Sequence, residues 1–553
     1  MPPNTVAALD NCQPDVVQLR TMPWTPALAP LGSLGFSALA AVIPLAVLFG
    51  LLASGKVPGW APACAAALAA LIVAVAAWGM PAVSALSSGL QGAATALFPI
   101  MWIVVSALFV HALSVESGQF DVIRSTLASI TADRRLQALF IAFAFGAFLE
   151  GAAGFGTPVA ISLAMLVSLG FEARAAAVLC LIANSSPVAF AAAGIPVAVA
   201  AGVSGIDVIT LGRIIGRQVP LLSLFVPLWL TVVLCGWRRS MEVLPALIVA
   251  GLLMSVSQFL IANFSGPWTA GILSGIITLA GLWLFLRFWK PRTNWDFAGA
   301  PAVNRSSAER TTPEGKTSAA GALRAWAPYL LMSIMVLLWS LGPIKPLLQR
   351  TNLKIPWPGL PGSSFTLALL STPGSAIFLA AVIAAFFLPN LGARKVLTCL
   401  GRTIRDLGGT ILTVCLILAT AFIMNSSGMS STLGRALAAT GVLFPLFSPL
   451  LGWLGVLMTG SDTSSNALFG SLQRTTAERL GLNPALMVAA NASGGVAGKM
   501  ISPQNIAVAT ASGHLEGQEG ELFRSTVLHS LAMALLIGVI ALVQAYLLPG
   551  MVK

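Results

Sequence analysis

The sequence predicts an all-α integral membrane protein, a polytopic helical bundle built as two inverted repeats, each holding a re-entrant helical hairpin and a broken helix. Three observations carry this prediction. Of the 553 residues, 57% are hydrophobic and 9% charged, whereas ordinary soluble domains carry about 25% charged residues. The apolar residues come in unbroken runs near the roughly 20 residues that a membrane-crossing helix needs. Two regions, one in each half, depart from that rule in the same way, with apolar arms flanking polar, glycine-rich tips.

In chain order, residues 1–33 form a polar, Pro-rich N-terminal segment with Asp10, Asp15 and Arg20. It lacks the basic-then-apolar order of a signal peptide, so Leu34–Ser54 reads as a retained first span. Residues 34–289 form the first transmembrane half, with spans expected at Ala61–Gly79, Ala93–Leu113, Val219–Cys235, Val243–Asn263 and Ala270–Phe288. Within it lie a hairpin near 136–170 and a broken helix near 173–203. Residues 290–325, with Lys290, Arg292, Arg305, Arg310, Lys316 and Arg324 among Ser, Thr, Pro and Ala, read as a basic cytoplasmic linker. Residues 326–553 form the second half, with spans at Trp326–Leu341, Phe365–Leu388, Leu407–Met424 and Val527–Leu547. It holds a hairpin near 437–480 and a broken helix near 484–512. Arg238 and Arg239 before the linker, and Arg394, Lys395, Arg402 and Arg405 after it, fall on the cytoplasmic side by the same charge rule. Lys345, Arg350 and Lys354 run against it. Strand-like alternation over ten-residue segments is absent, which argues against a β-barrel.

The formal charge of +12 does not point to nucleic acid, because the cations lie between apolar runs and not on one stripe. The six cysteines, Cys12, Cys64, Cys180, Cys235, Cys399 and Cys415, form no CxxC pair and suggest neither a disulfide framework nor a zinc site. Only three histidines are present, and none is spaced with carboxylates as metal ligands, so neither an enzyme nor a resident cofactor is expected. His111 ends an apolar run and reads as interfacial; His514 and His529 flank a charged loop.

The interrupted regions share a register. Asn184 is followed by Pro196 twelve residues on, and Asn491 by Pro503 at the same interval. Each is preceded by an apolar arm ending at a polar tip, Glu150-Gly151 in one and Gly460-Ser461-Asp462 in the other. Seven crossings separate the two hairpins, an odd number, so the copies have opposite orientation. Interruptions at matching positions of two halves are the sequence signature of a transporter's binding site.

Four constellations carry chemistry. Glu150 stands in an otherwise uncharged run, ahead of Gly151, Gly154, Gly156, Thr157 and Pro158. Desolvation favours the uncharged form of a carboxyl, so a glutamate here can load and release a proton; the competing reading has it cap its own hairpin. Asp462 lies among Thr459, Ser461, Thr463, Ser464, Ser465 and Asn466, groups that can bind an anion, hydrogen-bond the ionised carboxylate or form a hard-cation site with it. A structural N-cap is the alternative. Lys499 is the only basic residue between Arg479 and Arg524, in a segment with Asn491, Ser493, Gly494, Gly495, Gly498, Ser502, Pro503, Gln504 and Asn505. A buried ammonium needs a carboxylate, which is Glu150, Asp462 or the substrate; snorkelling to the interface is the alternative. Asn184, Ser185 and Ser186 before Pro187 line the same cavity or serve a proline kink. The expected substrate-binding set is Lys499, Asn491, Ser493, Gln504, Ser461, Thr463, Asn466, Asn184, Ser185, Gly154, Gly156 and Thr157, with Glu150 and Asp462 as proton carriers.

At these motifs the chain resembles the bacterial lactate permease family, which includes glycolate permeases. The resemblance rests on Ser117–Arg124 (SGQFDVIR), Phe145–Gly156 (FGAFLEGAAGFG), Leu451–Gly455 (LGWLG), Thr459–Phe469 (TGSDTSSNALF) and Gly494–Gln504 (GGVAGKMISPQ), and covers most of the chain from Leu34 onward. It implies a multi-pass transporter of the bacterial inner membrane that imports L-lactate and related 2-hydroxymonocarboxylates such as glycolate, coupled to protons. It also implies an elevator-like architecture in which one domain moves. The implied partners are a small monocarboxylate, protons and the lipid bilayer; a homodimer is left open. Thr157 departs from the pattern, where a small apolar residue is expected, and bears on selectivity. The alternative is a sodium-coupled carboxylate transporter, with Asp462 and its Ser and Asn neighbours as cation ligands.

Overall fold

The computed structural model describes residues 26–54, 60–128, 130–154, 156–297, 319–340, 343–360, 362–515 and 518–552. The N-terminal segment before residue 26 and linker residues 298–318 lie outside the described residues. Among those described, ten helices are long and apolar enough to cross a membrane, or eleven if the bent pair Ala173–Ala183 and Val188–Ser204 counts as one span. That pair is bent by 65°.

Several spans begin where the sequence dictates. Leu34–Ser54 and Ala270–Phe288 coincide with their apolar runs. Val208–Cys235 starts eleven residues ahead of its run, because the Asp207 side chain accepts from Thr210 N–H and caps an earlier turn. The span expected at Ala93–Leu113 belongs to a helical stretch from Ala82 to Glu116. Its early part is polar, and those side chains are spent inside the protein. Ser88 Oγ bonds the Phe422 carbonyl at 2.9 Å and Ser426 Oγ at 2.8 Å. A Cβ on Gly92 would lie 2.5 Å from the Leu418 carbonyl oxygen, so the two backbones meet there.

The span expected at Phe365–Leu388 is a correction. Leu353–Pro356 pairs antiparallel with Ser364–Leu367 in a two-stranded sheet, and the helix covers only Pro373–Phe387. An apolar run does not itself separate strand from helix. Pro358 and Gly359 after the first strand and the proline opening at Pro373 decide the matter.

The interrupted regions form four helix pairs. Hairpin 1 runs from Arg134 to Ala152 and returns over Thr157–Ser168. Broken helix 1 comprises Ala173–Ala183 and, after a 3₁₀ turn at Val188–Phe190, Ala191–Ser204. Hairpin 2 comprises Phe444–Thr459 and Asp462–Leu480, and broken helix 2 comprises Pro484–Gly498 and Pro503–Gly513 around a 3₁₀ turn at Lys499–Ile501. The base of hairpin 1 is held at Arg239 and Glu242, just past the end of helix Val208–Cys235. The outer arm of hairpin 2 is held at Val203 and Ser204, just before that helix begins. A helix of 28 residues spans roughly 42 Å at 1.5 Å per residue. The two hairpins are therefore anchored at opposite ends of the bundle.

Candidate functional site

Each hairpin ends in a turn built from its own residues. In hairpin 2, Gly460 takes φ +72°, and a Cβ there would lie 2.5 Å from Gln504 Oε1; only glycine fits both the left-handed backbone and the contact. Ser461 follows as N-cap, accepting from Ser464 N–H at 3.3 Å. Asp462 thus opens the returning helix, where the positive end of the helix dipole favours an anion. Asn483 and Ser502 likewise cap the two halves of broken helix 2, and Pro484 and Pro503 occupy the first turns. The Ser502-Pro503 start forces Lys499 into the break between two helices.

Lys499 Nζ donates to Glu150 Oε1 at 2.7 Å, joining broken helix 2 to hairpin 1. The side chains are 7% and 0% exposed. Removing two charges from water costs several kcal/mol per ion, offset only by close pairing, and a 2.7 Å contact meets that condition. Glu150 therefore does not cap its own hairpin, and Lys499 does not snorkel. The second carboxylate oxygen of Glu150, Oε2, has no partner. Asp462 is buried too, and neither of its oxygens has a hydrogen-bond partner. Its approach is possible because a Cβ on Gly495 would lie 2.2 Å from Asp462 Oδ1.

Both tips and both breaks border one small cavity of about 30 Å³ that is partly open to solvent. Hairpin 1 contributes Gly154, and hairpin 2 contributes Gly460, Ser461, Asp462 and Thr463. Broken helix 2 contributes Lys499 and Gln504, and broken helix 1 an apolar wall of Val188, Ala191, Ala192, Ile195 and Pro196. The backbone of that wall is strained. Ala192 and Ala193 have φ +42° and +57°, followed by Gly194 at +78°; left-handed alanines cost roughly 1–2 kcal/mol each and persist only where the surroundings hold them.

Lys499, Gln504, Ser461, Thr463, Gly154 and Asp462 thus share the cavity, and Glu150 reaches it through Lys499. Asn466 and Asn491 do not line the cavity but stand in a hydrogen-bonded chain behind it. Ser448 Oγ donates to Gln473 Oε1, Gln473 Nε2 to Asn491 Oδ1, Asn491 Nδ2 to Asn466 Oδ1, and Asn466 Nδ2 to the Pro196 carbonyl, at 2.8, 3.1, 2.9 and 3.2 Å. Ser185 Oγ is spent on the Ile182 carbonyl at 2.7 Å. Gly156 lies against Val508, and Thr157 opens the return arm of hairpin 1. Asn184 and Ser493 are buried and do not border the cavity. His111 shares a 2.9 Å hydrogen bond with the Tyr329 hydroxyl and does not face the interface alone.

Among the described residues, thirteen buried side-chain polar atoms lack a partner, and eight belong to Glu150, Asn184, Asp462, Ser493 and Asn505. Buried polar groups are almost always bonded, and of these Asp462 borders the cavity and Glu150 reaches it through Lys499. The sequence places Asn505 in the Lys499 segment, though outside the expected binding set, and does not single out the apolar wall of Val188, Ala191, Ala192 and Ile195. Asn505 carried a signal, an amide beside a helix-opening Ser-Pro; the wall's residues are indistinguishable by type from lipid-facing ones. No group of three His, Cys, Asp or Glu side chains able to hold a metal occurs among the described residues.

The sequence profile of the L-lactate permease family matches residues 37–548. The chain is 45% identical to glycolate permease GlcA of Escherichia coli (strain K12), over 96% of this chain and 99% of that protein. It is 44% identical to the L-lactate permease of Bacillus subtilis (strain 168), over 96% and 100%. It is 43% identical to the L-lactate permease of Escherichia coli (strain K12), over 96% and 99%.

Proposed function

The chain belongs to the L-lactate permease family, and we propose that it imports L-lactate or glycolate by proton symport across the bacterial inner membrane. It is a multi-pass membrane permease and not an enzyme. The observation that carries the proton-coupled reading is the buried Glu150–Lys499 pair at the wall of the cavity shared by both hairpin tips.

The pair supplies a coupling rule. Without substrate, Glu150 carboxylate and Lys499 ammonium neutralise each other. A substrate carboxylate that takes Lys499 leaves Glu150 charged and unpaired unless Glu150 gains a proton. Lys499 with substrate, plus neutral Glu150, is again uncharged. The pair therefore contributes the same charge when empty and when fully loaded, whereas substrate alone or proton alone changes the buried charge by one, which is expensive in a membrane. The anion and the proton therefore travel together. Gln504, Thr463 and Ser461 are the groups available to the 2-hydroxyl, and Val188, Ala191 and Ile195 to the carbon chain. The opposite anchoring of the two hairpins, with tips on one cavity, supports reading the halves, 34–289 and 326–553, as an inverted repeat moving as an elevator.

Glu150→Gln mimics the protonated acid. In proteoliposomes it should retain exchange of labelled lactate for unlabelled lactate and lose uphill accumulation under an imposed pH gradient. Accumulation at the unmodified level assigns the proton elsewhere. The unpartnered oxygens of Asp462 favour a second reading, a sodium site at that carboxylate. Uptake driven by a sodium gradient at equal pH, abolished by Asp462→Asn, would establish it.

A further inference from the structure

Helix Ala393–Asp406 lies between the short apolar helix Pro373–Phe387 and the span Gly408–Ser427 and is too polar to cross a membrane. Its sequence, ARKVLTCLGRTIRD, divides sharply. At 100° per residue, Val396, Cys399, Leu400 and Thr403 fall on one flank of the apolar face, and Leu397 and Ile404 on the other. Arg394, Lys395, Arg402 and Arg405 fall on the opposite face. The first flank is used by the protein: Cys399 and Thr403 are buried, and Val396 and Leu400 half-buried. The second is bare, with Leu397 69% and Ile404 46% exposed.

On the helix circumference Arg394 and Arg405 come directly beyond that bare strip. Among the described residues neither has an ion-pair partner. Lys395 Nζ donates to the Asn390 carbonyl at 3.0 Å, and Arg402 stands 3.9 Å from Glu116, with both side chains exposed. Asp406 is the only acidic residue in the helix. The preceding helix ends in Phe386 and Phe387, 82% and 70% exposed, so the bare strip continues a surface already suited to hydrocarbon. Arg402 faces Glu116 at the end of a helical stretch that leads to the base of hairpin 1, with its Arg134 and Arg135, so the helix lies at that basic end of the bundle.

We propose that helix Ala393–Asp406 lies in the membrane interface and binds anionic phospholipid, Leu397 and Ile404 entering the acyl region while Arg394, Arg405, Lys395 and Arg402 meet headgroup phosphates. The occupant must combine hydrocarbon and negative charge within one helix radius, which lipid does. Helices of this kind bind in proportion to buried apolar area plus attraction to anionic lipid.

The test uses full-length protein reconstituted in phosphatidylcholine with a minority of phosphatidylglycerol. Spin-labelled lipids report the association of phosphatidylglycerol relative to phosphatidylcholine. The unmodified protein should prefer phosphatidylglycerol, and the preference should weaken in high salt. Neutralising the helix (Arg394→Gln, Lys395→Gln, Arg402→Gln, Arg405→Gln) should lower the preference at least about twofold, since each cation near the surface contributes attraction. Neutralising Lys345, Arg350 and Lys354 at the other end should lower it less. If the fourfold variant does not fold, Arg394→Gln with Arg405→Gln serves. Leu397→Ser with Ile404→Ser should also reduce it. An unchanged preference in the neutralised helix overturns the proposal, as does competition by soluble glycerol phosphate as effective as that by the lipid.

Discussion

At the residue scale the decisive fact is that one ammonium has three carboxylates to choose among: Glu150, Asp462 and the substrate. In the structure it pairs with Glu150, at 2.7 Å. Lys499→Met should leave Glu150 buried without a cation and remove the charge that attracts the substrate. Truncating one partner of a buried charge pair costs on the order of 2–5 kcal/mol, or roughly a 30-fold or greater rise in the half-saturating concentration. Lys499→Arg keeps the charge but replaces a point ammonium with a planar fork, and should bind with intermediate affinity. Lactate binding by isothermal titration of the purified variants measures both, and near-normal affinity in Lys499→Met would remove Lys499 from the site. The sequence made Lys499, Glu150 and Asp462 conspicuous because an isolated charge in an apolar segment is expensive. It could not tell Gln504, which borders the cavity, from Asn491, which is spent on Asn466 and Gln473. A buried amide needs partners in either case, and only the fold decides whether these are protein or ligand.

At the element scale, hairpin 1 depends on a clasp at its base. Arg135 is fully buried and gives two hydrogen bonds to Asp133 (3.1 and 2.7 Å), with others to Glu242 (2.7 Å) and to the Arg239 and Thr293 carbonyls. Arg134 adds Asp296 at 2.9 Å and a contact to the Leu169 carbonyl. Arg135→Met leaves Asp133 buried without its cation, held only by the backbone N–H groups of residues 135, 136 and 295, a loss of up to roughly 3–5 kcal/mol, and should lower the thermal midpoint in detergent. The pH dependence has a definite sign. The hydrogen bond from Arg135 holds the Glu242 carboxyl below its usual range. A depressed carboxyl contributes stability above its unfolded value, near 4.3, and loses it as pH falls through the folded value. Acidification below about pH 4 should therefore destabilise the unmodified protein through this contact, and Arg135→Met should lack that component. Equal acid sensitivity in both would show that the clasp carries none of it. The hairpins and breaks were legible because glycine, proline and capping residues mark them locally. The strand pair at Leu353–Pro356 and Ser364–Leu367 was not, because four-residue strands carry too little periodicity.

At the scale of the whole molecule the helices pack as two groups. Helices Leu34–Ser54, Trp60–Ala76, Ala82–Glu116, Ala319–Ser340, Pro373–Phe387 and Gly408–Ser427 pack mainly on one another, and Met429–Leu437 bridges from Leu34–Ser54 to the hairpin 2 arm Asp462–Leu480. The hairpins and broken helices pack with Val208–Cys235, Leu244–Phe264, Ala270–Phe288 and Glu519–Tyr546. Where the groups meet behind hairpin 1 the surface is aromatic, Phe145 and Phe148 against Phe120, Trp326 and Tyr329. Apolar contacts of this kind are non-directional and allow sliding more readily than an ion-pair network. If the second group moves as the proposed elevator, whatever charge it holds crosses the membrane with it, and each elementary charge couples to the potential by about 2.3 kcal/mol per 100 mV. The Glu150–Lys499 exchange makes the moving body equally charged when empty and when loaded with one carboxylate and one proton. Net transport should then be electroneutral. In proteoliposomes an inward pH gradient should drive lactate accumulation, while a potassium diffusion potential set with valinomycin, at equal pH, should drive none. A current on solid-supported membranes that scales with transport rate would contradict this, because it requires a charge beyond the one proton that Glu150 exchanges with the substrate at Lys499, such as a cation bound at Asp462.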